Sequence, residues 1–91
     1  MTRRIRVEEV LVFLGIDSKE LLDSLRAEGL FEEDEIEPEA IDELRMAATL
    51  MQELGVNAAG VEVALHLRRR LFALEARTRS LLEVLEQRPK R

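Results

Sequence analysis

The 91-residue sequence has no cysteine, no tryptophan and no tyrosine, and only one histidine, His66. The lack of cysteine excludes disulfide staples, thiolate catalysis and cysteine-based metal sites. Aromatic residues are just 3% of the chain, so a domain this short encloses a thin core and is of the kind that gains burial by oligomerising. Long apolar runs are missing as well. The longest is Val10 to Leu14, far short of the roughly 20 residues a membrane-spanning helix needs. The leading MTRRIRVEEV carries charge without the apolar core or small-residue cleavage site of a secretory signal. The expected setting is therefore cytoplasmic, with no membrane contact. The four glycines fall at helix ends or starts, which leaves no glycine-rich phosphate loop. The carboxylates, though many, form no isolated pair in an apolar pocket of the kind general acid–base chemistry uses. No enzyme activity, metal, cofactor or small-molecule ligand is expected.

What the chain does have is helix-forming and strongly charged. At 46% hydrophobic and 36% charged, it is too apolar for a disordered segment and too polar for a membrane protein. The net charge of −5 conceals three zones. Residues 1–6 hold three arginines and no acid (+3); residues 7–43 hold fourteen acids against Lys19 and Arg26 (−12); residues 44–91 hold nine bases against five acids (+4). An acidic first half followed by a basic second half suggests surfaces with different partners.

Read for local structure, the sequence predicts four helices and a tail. A short extended lead, Arg4 to Val7, precedes a helix from Glu8 to Leu14 that Gly15 closes. Asp17 starts a second helix, with Glu20 at capping-box spacing, Leu21, Leu22 and Leu25 as its apolar stripe, and Gly29 at its end. Two short helices joined by a tight turn make up a helix-turn-helix. In LFEEDEIE, Leu30 to Glu37, apolar ends flank four acids, which predicts a small hairpin with the acids at its tip. Pro38 suits the first position of a third helix running to about Leu54, with Ile41, Leu44, Ala48, Met51 and Leu54 at helical spacing. Gly55 closes it and Asn57 caps the fourth.

The fourth helix carries the clearest period. Ala64, Leu67, Leu71, Leu74, Thr78, Leu81 and Leu85 recur at alternating steps of three and four, the a and d positions of three heptads. A second stripe, Val61, Leu65 and Phe72, lies on a neighbouring face and is expected to pack on the first three helices. Ala64, Leu67, Leu71, Leu74, Leu81 and Leu85 are thus candidate homodimer contacts. Strand direction stays open: a parallel pair sets Arg70 against Glu75, and an antiparallel pair sets Arg68 against Glu75. His66 falls at an outward c position beside Arg69 and Arg70, a poor place for a metal ligand. The basic cluster Arg68, Arg69 and Arg70 wraps the helix and reads as a coiled-coil flank. The expected organisation is a body over residues 1–56, a long dimerisation helix over 57–87 and a frayed tail over 88–91.

The order of helix, turn, helix, acid-tipped hairpin, helix and long coiled coil resembles the MerR-type winged-helix family. The likeness is carried by IRVEEVLVFLGID at the opening, by Gly29-Leu30-Phe31 before the wing, and by LGVNAAGVEVALHLRRRLFALEA, Leu54 to Ala76. It covers nearly the whole chain and is similar above all to the chaperone-linked branch of HspR-type heat-shock repressors and CbpM-type chaperone modulators. The implied fold is an all-α, MerR-like winged helix-turn-helix with a small acidic hairpin wing and a long C-terminal coiled-coil dimerisation helix. DNA-binding members carry an Arg-x-Tyr-Glu/Asp signature in helix two and a basic wing. The matching helix-two positions here hold Asp23, Leu25 and Arg26, and the wing reads Glu32-Glu33-Asp34-Glu35. Four carboxylates repel a phosphate backbone that DNA binders neutralise with Lys and Arg, and helix two offers only Arg26 to read base edges. No DNA partner is therefore expected. The resemblance to CbpM-type proteins implies a J-domain co-chaperone, DnaJ-like, as partner, and the acidic face suits that partner's basic helix. The candidate contact residues are Asp17, Glu20, Asp23, Glu28, Glu32, Glu33, Asp34 and Glu35. The alternative is an HspR-type DNA-binding transcriptional regulator of heat-shock genes, with Arg3, Arg4 and Arg6 on phosphates.

Overall fold

The computed structural model describes residues 3–16 and 18–87. Asp17 and the expected frayed tail, residues 88–91, lie outside them. The described chain is all-α apart from one pair of two-residue strands, in the order β1 (Ile5–Arg6), α1 (Val7–Phe13), α2 (Lys19–Ala27), β2 (Glu35–Ile36), α3 (Pro38–Gln52) and α4 (Ala58–Glu86).

Each boundary has a local cause. Gly15 and Gly29 adopt positive φ, 76° and 80°, just beyond α1 and α2, a backbone region that a side chain makes costly. The cap of α2 is Ser18, whose hydroxyl accepts from the Leu21 amide at 3.1 Å. This displaces by one residue the expected start at Asp17, because Ser18 holds the extended backbone a cap requires. Pro38 stands in the first turn of α3, where its missing N–H costs nothing. Asn57 caps α4, its side-chain oxygen accepting from the Gly60 amide at 2.8 Å.

The predicted hairpin within Leu30–Glu37 does not form among the described residues. Glu35–Ile36 pairs antiparallel with Ile5–Arg6 instead, in the register Ile5↔Ile36 and Arg6↔Glu35. Leu30 and Phe31 are half-buried against the core, so they pack where an edge strand would have had to project. The acids consequently sit on a loop closed by a strand from the other side of α1 and α2.

One core joins the four helices. Val7, Val10 and Leu11 of α1, Leu21, Leu22 and Leu25 of α2, Leu44, Ala47 and Ala48 of α3, and Val61 and Leu65 of α4 are buried together with Ile16 and Ile36. The stripes expected on α2 and α3 hold, except that Leu54 is exposed and Ala47 joins the buried face. No polar or charged side chain is buried among the described residues. Beyond Arg68 every described residue of α4 is exposed. The radius of gyration is 17.4 Å, against roughly 12 Å for a compact chain of this length, and the excess is the projecting helix.

Leu25 contacts this core with no exposed surface. Leu25→Ala is expected to lose about 2–5 kcal/mol of stability, a large part of what so small a domain possesses; urea denaturation of the variant beside the parent measures it.

Candidate functional site

The loop from Glu28 to Glu37 is built around two arginines that reach it from opposite sides. Gly29 turns the chain out of α2, and Phe31 follows at φ 52°, an uncommon conformation for an aromatic residue. Arg26 holds that turn: its Nε donates to the Phe31 carbonyl at 2.9 Å and its Nη2 to the Glu33 carbonyl at 3.4 Å, with the Asp34 carboxylate 3.9 Å away. From the residue just before β1, Arg4 donates to the Glu33 carboxylate and, at 2.7 Å, to the Glu35 carbonyl. Glu33, with the more distant charges of Glu35 and Glu37, raises the Arg4 pKa. Both arginines are therefore paired within the loop, Arg26 to its carbonyls and Arg4 to Glu33 and the Glu35 carbonyl.

Of the acids singled out from sequence, Glu20, Asp23, Glu28, Glu32, Glu33, Asp34 and Glu35 are all exposed. Glu33 and Asp34 are paired with Arg4 and Arg26. Glu20, Asp23, Glu28, Glu32 and Glu35 take part in no ion pair among the described residues. Asp17 is outside the described residues. The loop also forms one wall of a shallow cleft of ≈ 420 Å³ toward α3, lined by acids from Glu32 to Glu43, by Leu30, Phe31 and Ile36, and by the two arginines Arg4 and Arg69. Arg4 and Arg69 already pair with Glu33 and Glu43 in its lining.

The acidic face does not extend as far as Glu43. Arg68 donates to Asp42 at 2.7 Å and Arg69 to Glu43 at 2.9 Å, so two members of the basic cluster tie α4 to α3. This corrects the reading of that cluster as a coiled-coil flank: Arg70 alone of the three makes no such tie among the described residues. Arg68 also lies over the Phe72 ring, 4.8 Å from its centroid, a cation–π distance. The stripe expected to pack on the body ends at Leu65, and Phe72 remains 51% exposed, because α4 has already left the core when it reaches that turn.

The heptad residues lie together on the projecting part of α4. Leu67, Leu71, Leu74, Leu81 and Leu85 are about half exposed, while Ala64 is partly covered near the body. Leu82, Val84 and Val63 are exposed as well. The sequence reading passed over them because they fall at flanking e and g positions; the signal was a last heptad apolar at d, e, g and a together. Phe13 and Val12 of α1 are exposed at 88% and 77%, also unflagged as a surface. His66 is exposed, as its c position requires.

No group of acids and histidine able to hold a metal occurs among the described residues, and no described helix is long and apolar enough to cross a membrane. No protein-family model matches the chain, and neither a curated protein nor a solved structure is significantly similar to it.

Asp42 accepts hydrogen bonds from Arg45 and Arg68, which lower its pKa below the usual carboxylate range. A depressed folded pKa contributes stability above the ordinary aspartate value that is lost as pH falls through the folded one. Thermal melts from neutral pH into acid should therefore show Asp42→Asn less stable than the parent near neutrality, with the difference closing in acid below about pH 4.

Proposed function

We propose that this chain is a non-enzymatic chaperone modulator: a winged-helix-like homodimer that binds a J-domain co-chaperone of the DnaJ or CbpA type and so regulates its action on DnaK. The observation that carries the reading is how the charges are spent. Arg4 and Arg26 are turned onto the loop, Arg6 opposite Glu35 pairs with Glu8, and Arg68 and Arg69 are turned onto α3. What faces outward from α2 and the loop is then mostly carboxylates, Glu20, Asp23, Glu28, Glu32 and Glu35, with Lys19 as an exposed base beside them. Such a surface repels a nucleic-acid backbone and attracts a basic helix. The sequence resemblance to CbpM-type proteins supplies the partner that presents one. Occupying that basic helix would exclude the acidic chaperone surface it otherwise engages.

Calorimetric titration with an isolated J domain at low and moderate salt tests this. Micromolar or tighter binding that weakens as salt rises supports the reading. No heat at either salt removes it, and binding to duplex DNA from upstream of a chaperone gene would establish the heat-shock regulator in its place.

The second half of the proposal is the dimer. The chain exposes 7257 Å², whereas a compact protein of 10.5 kDa exposes roughly 5,400 Å². The excess is more than the roughly 800 Å² per partner that a standard interface covers, and its apolar part includes the a and d leucines of α4 together with Val63, Phe72, Leu82 and Val84 on the same helix. Burying the remainder of each leucine in that stripe contributes on the order of 1 kcal/mol per side chain. Sedimentation equilibrium should give a dimer for the parent and a monomer for Leu71→Glu/Leu74→Glu. Both positions lie outside the core, so far-ultraviolet dichroism should show the body still folded.

A further inference from the structure

The acidic loop and the exposed apolar end of α1 share one short helix. The Val7 amide, at the start of α1, donates to the Asp34 carbonyl at 2.9 Å, so the loop is fastened at that end. Val12 and Phe13 crown the other end, roughly 10 Å along the axis. They are among the most exposed large apolar side chains of the described chain, at 77% and 88%. Helical spacing sets Val12 one turn beyond Glu8 and Phe13 one turn beyond Glu9, so each apolar side chain stands on the same side as a carboxylate. Val12 also borders a groove of ≈ 260 Å³ between α1 and α2, floored by Leu11, Ile16 and Leu22 and rimmed by Asp23. Glu8 lines the groove too, with two bases: Arg26, which faces the loop carbonyls, and Lys19, which makes no ion pair among the described residues.

We propose that Val12 and Phe13 are the apolar anchor of the docking surface, seating an apolar residue of a basic amphipathic helix whose cationic residues face Asp34 and Glu35 at one end and Glu9 and Asp23 beside the anchor. The charge pattern selects this occupant. A wholly apolar partner would leave these carboxylates desolvated and unpaired, and a second copy of the same face would set acid against acid. The spacing fits as well, since about 10 Å is two turns of the docking helix. Exposed carboxylates draw a basic partner in and set its salt dependence, but exposed ion pairs individually hold little. Interfaces are held by a few buried apolar and aromatic anchors. This inference rests on the reading of the chain as a J-domain binder and names the residues that hold the partner.

The test titrates the full chain with an isolated J domain in three forms: the parent, Val12→Ser/Phe13→Ser, and Glu32→Gln/Glu33→Gln/Asp34→Asn/Glu35→Gln. The anchor variant should bind at least tenfold more weakly at every salt while keeping the parent's salt dependence, and the neutralised variant should lose much of that dependence. Because the chain has no tryptophan, Phe13→Trp supplies a sole reporter whose emission should shift to the blue on adding a tryptophan-free J domain. Parent-like affinity in the anchor variant, or a Phe13→Trp emission unmoved at saturation, overturns the anchor and leaves J-domain binding standing. A parent that does not bind overturns both. Val12 and Phe13 are outside the core, and thermal melts of the variants should match the parent.

Discussion

Val61 and Leu65, one turn apart on α4 and buried completely or nearly so against the body, make the contact on which the architecture depends. They dock the start of a 29-residue helix onto a body too small to cover more of it. At 1.5 Å per residue α4 is about 44 Å long, and its buried residues span only the second and third turns. The thinness of the core, a consequence of so few aromatic and large side chains, therefore sets both how firmly α4 is held and how much is left projecting. A row of leucines on a helix in water has no favourable isolated state. The helix that completes the body is thus also the one that leaves a row of leucines uncovered.

The same contact organises the charges. Docking Val61 and Leu65 brings the next turn of α4 alongside the start of α3, and Arg68 and Arg69 meet Asp42 and Glu43 there. These pairs lie at the surface, where each contributes little to stability. Their larger effect is on what remains: they remove two positive and two negative charges from the outer face. Arg4 and Arg26 do likewise at the loop, where their donors satisfy the carbonyls of Phe31, Glu33 and Glu35. An arginine fixed on backbone carbonyls stabilises a turn that Phe31, at positive φ, would otherwise adopt at some cost. It is also an arginine withdrawn from any ligand.

The elements were legible where a local rule decides them. Gly15, Gly29 and Gly55 end helices because each takes a positive φ, Pro38 opens α3 and Asn57 caps α4, all within reach of neighbouring residues in the chain. The failures share a different cause. The hairpin was read from Leu30–Glu37 alone, but β2 found its partner about thirty residues upstream, in Ile5–Arg6, and no local pattern encodes a pairing at that distance. Arg26 read as a surface base because its partners are carbonyls, which carry no sequence signature. Phe72 was assigned to the body because the period of α4 continues past the turn at which the helix leaves it. The exposure of Phe13 was hidden for the converse reason: within the run Val10 to Leu14 every residue is apolar, and only the fold shows that Val10 and Leu11 point inward while Val12 and Phe13 do not.

The two outward residues of that run lie outside the core of the body. A seven-residue helix needs only Val7, Val10 and Leu11 to dock, and polar residues after them would have closed α1 equally well. Carrying a valine and a phenylalanine in water instead adds aggregation risk without adding stability to the isolated chain. The loop acids pose the complementary problem, since closely spaced carboxylates repel one another and Arg4 and Arg26 offset only part of that repulsion. Each feature alone has a mundane explanation, as a stray surface aromatic or a solvated acidic turn. At the two ends of one short helix they match the two halves of the proposed docking surface: negative charge to attract a basic partner from a distance, and an apolar contact to retain it once water has been displaced.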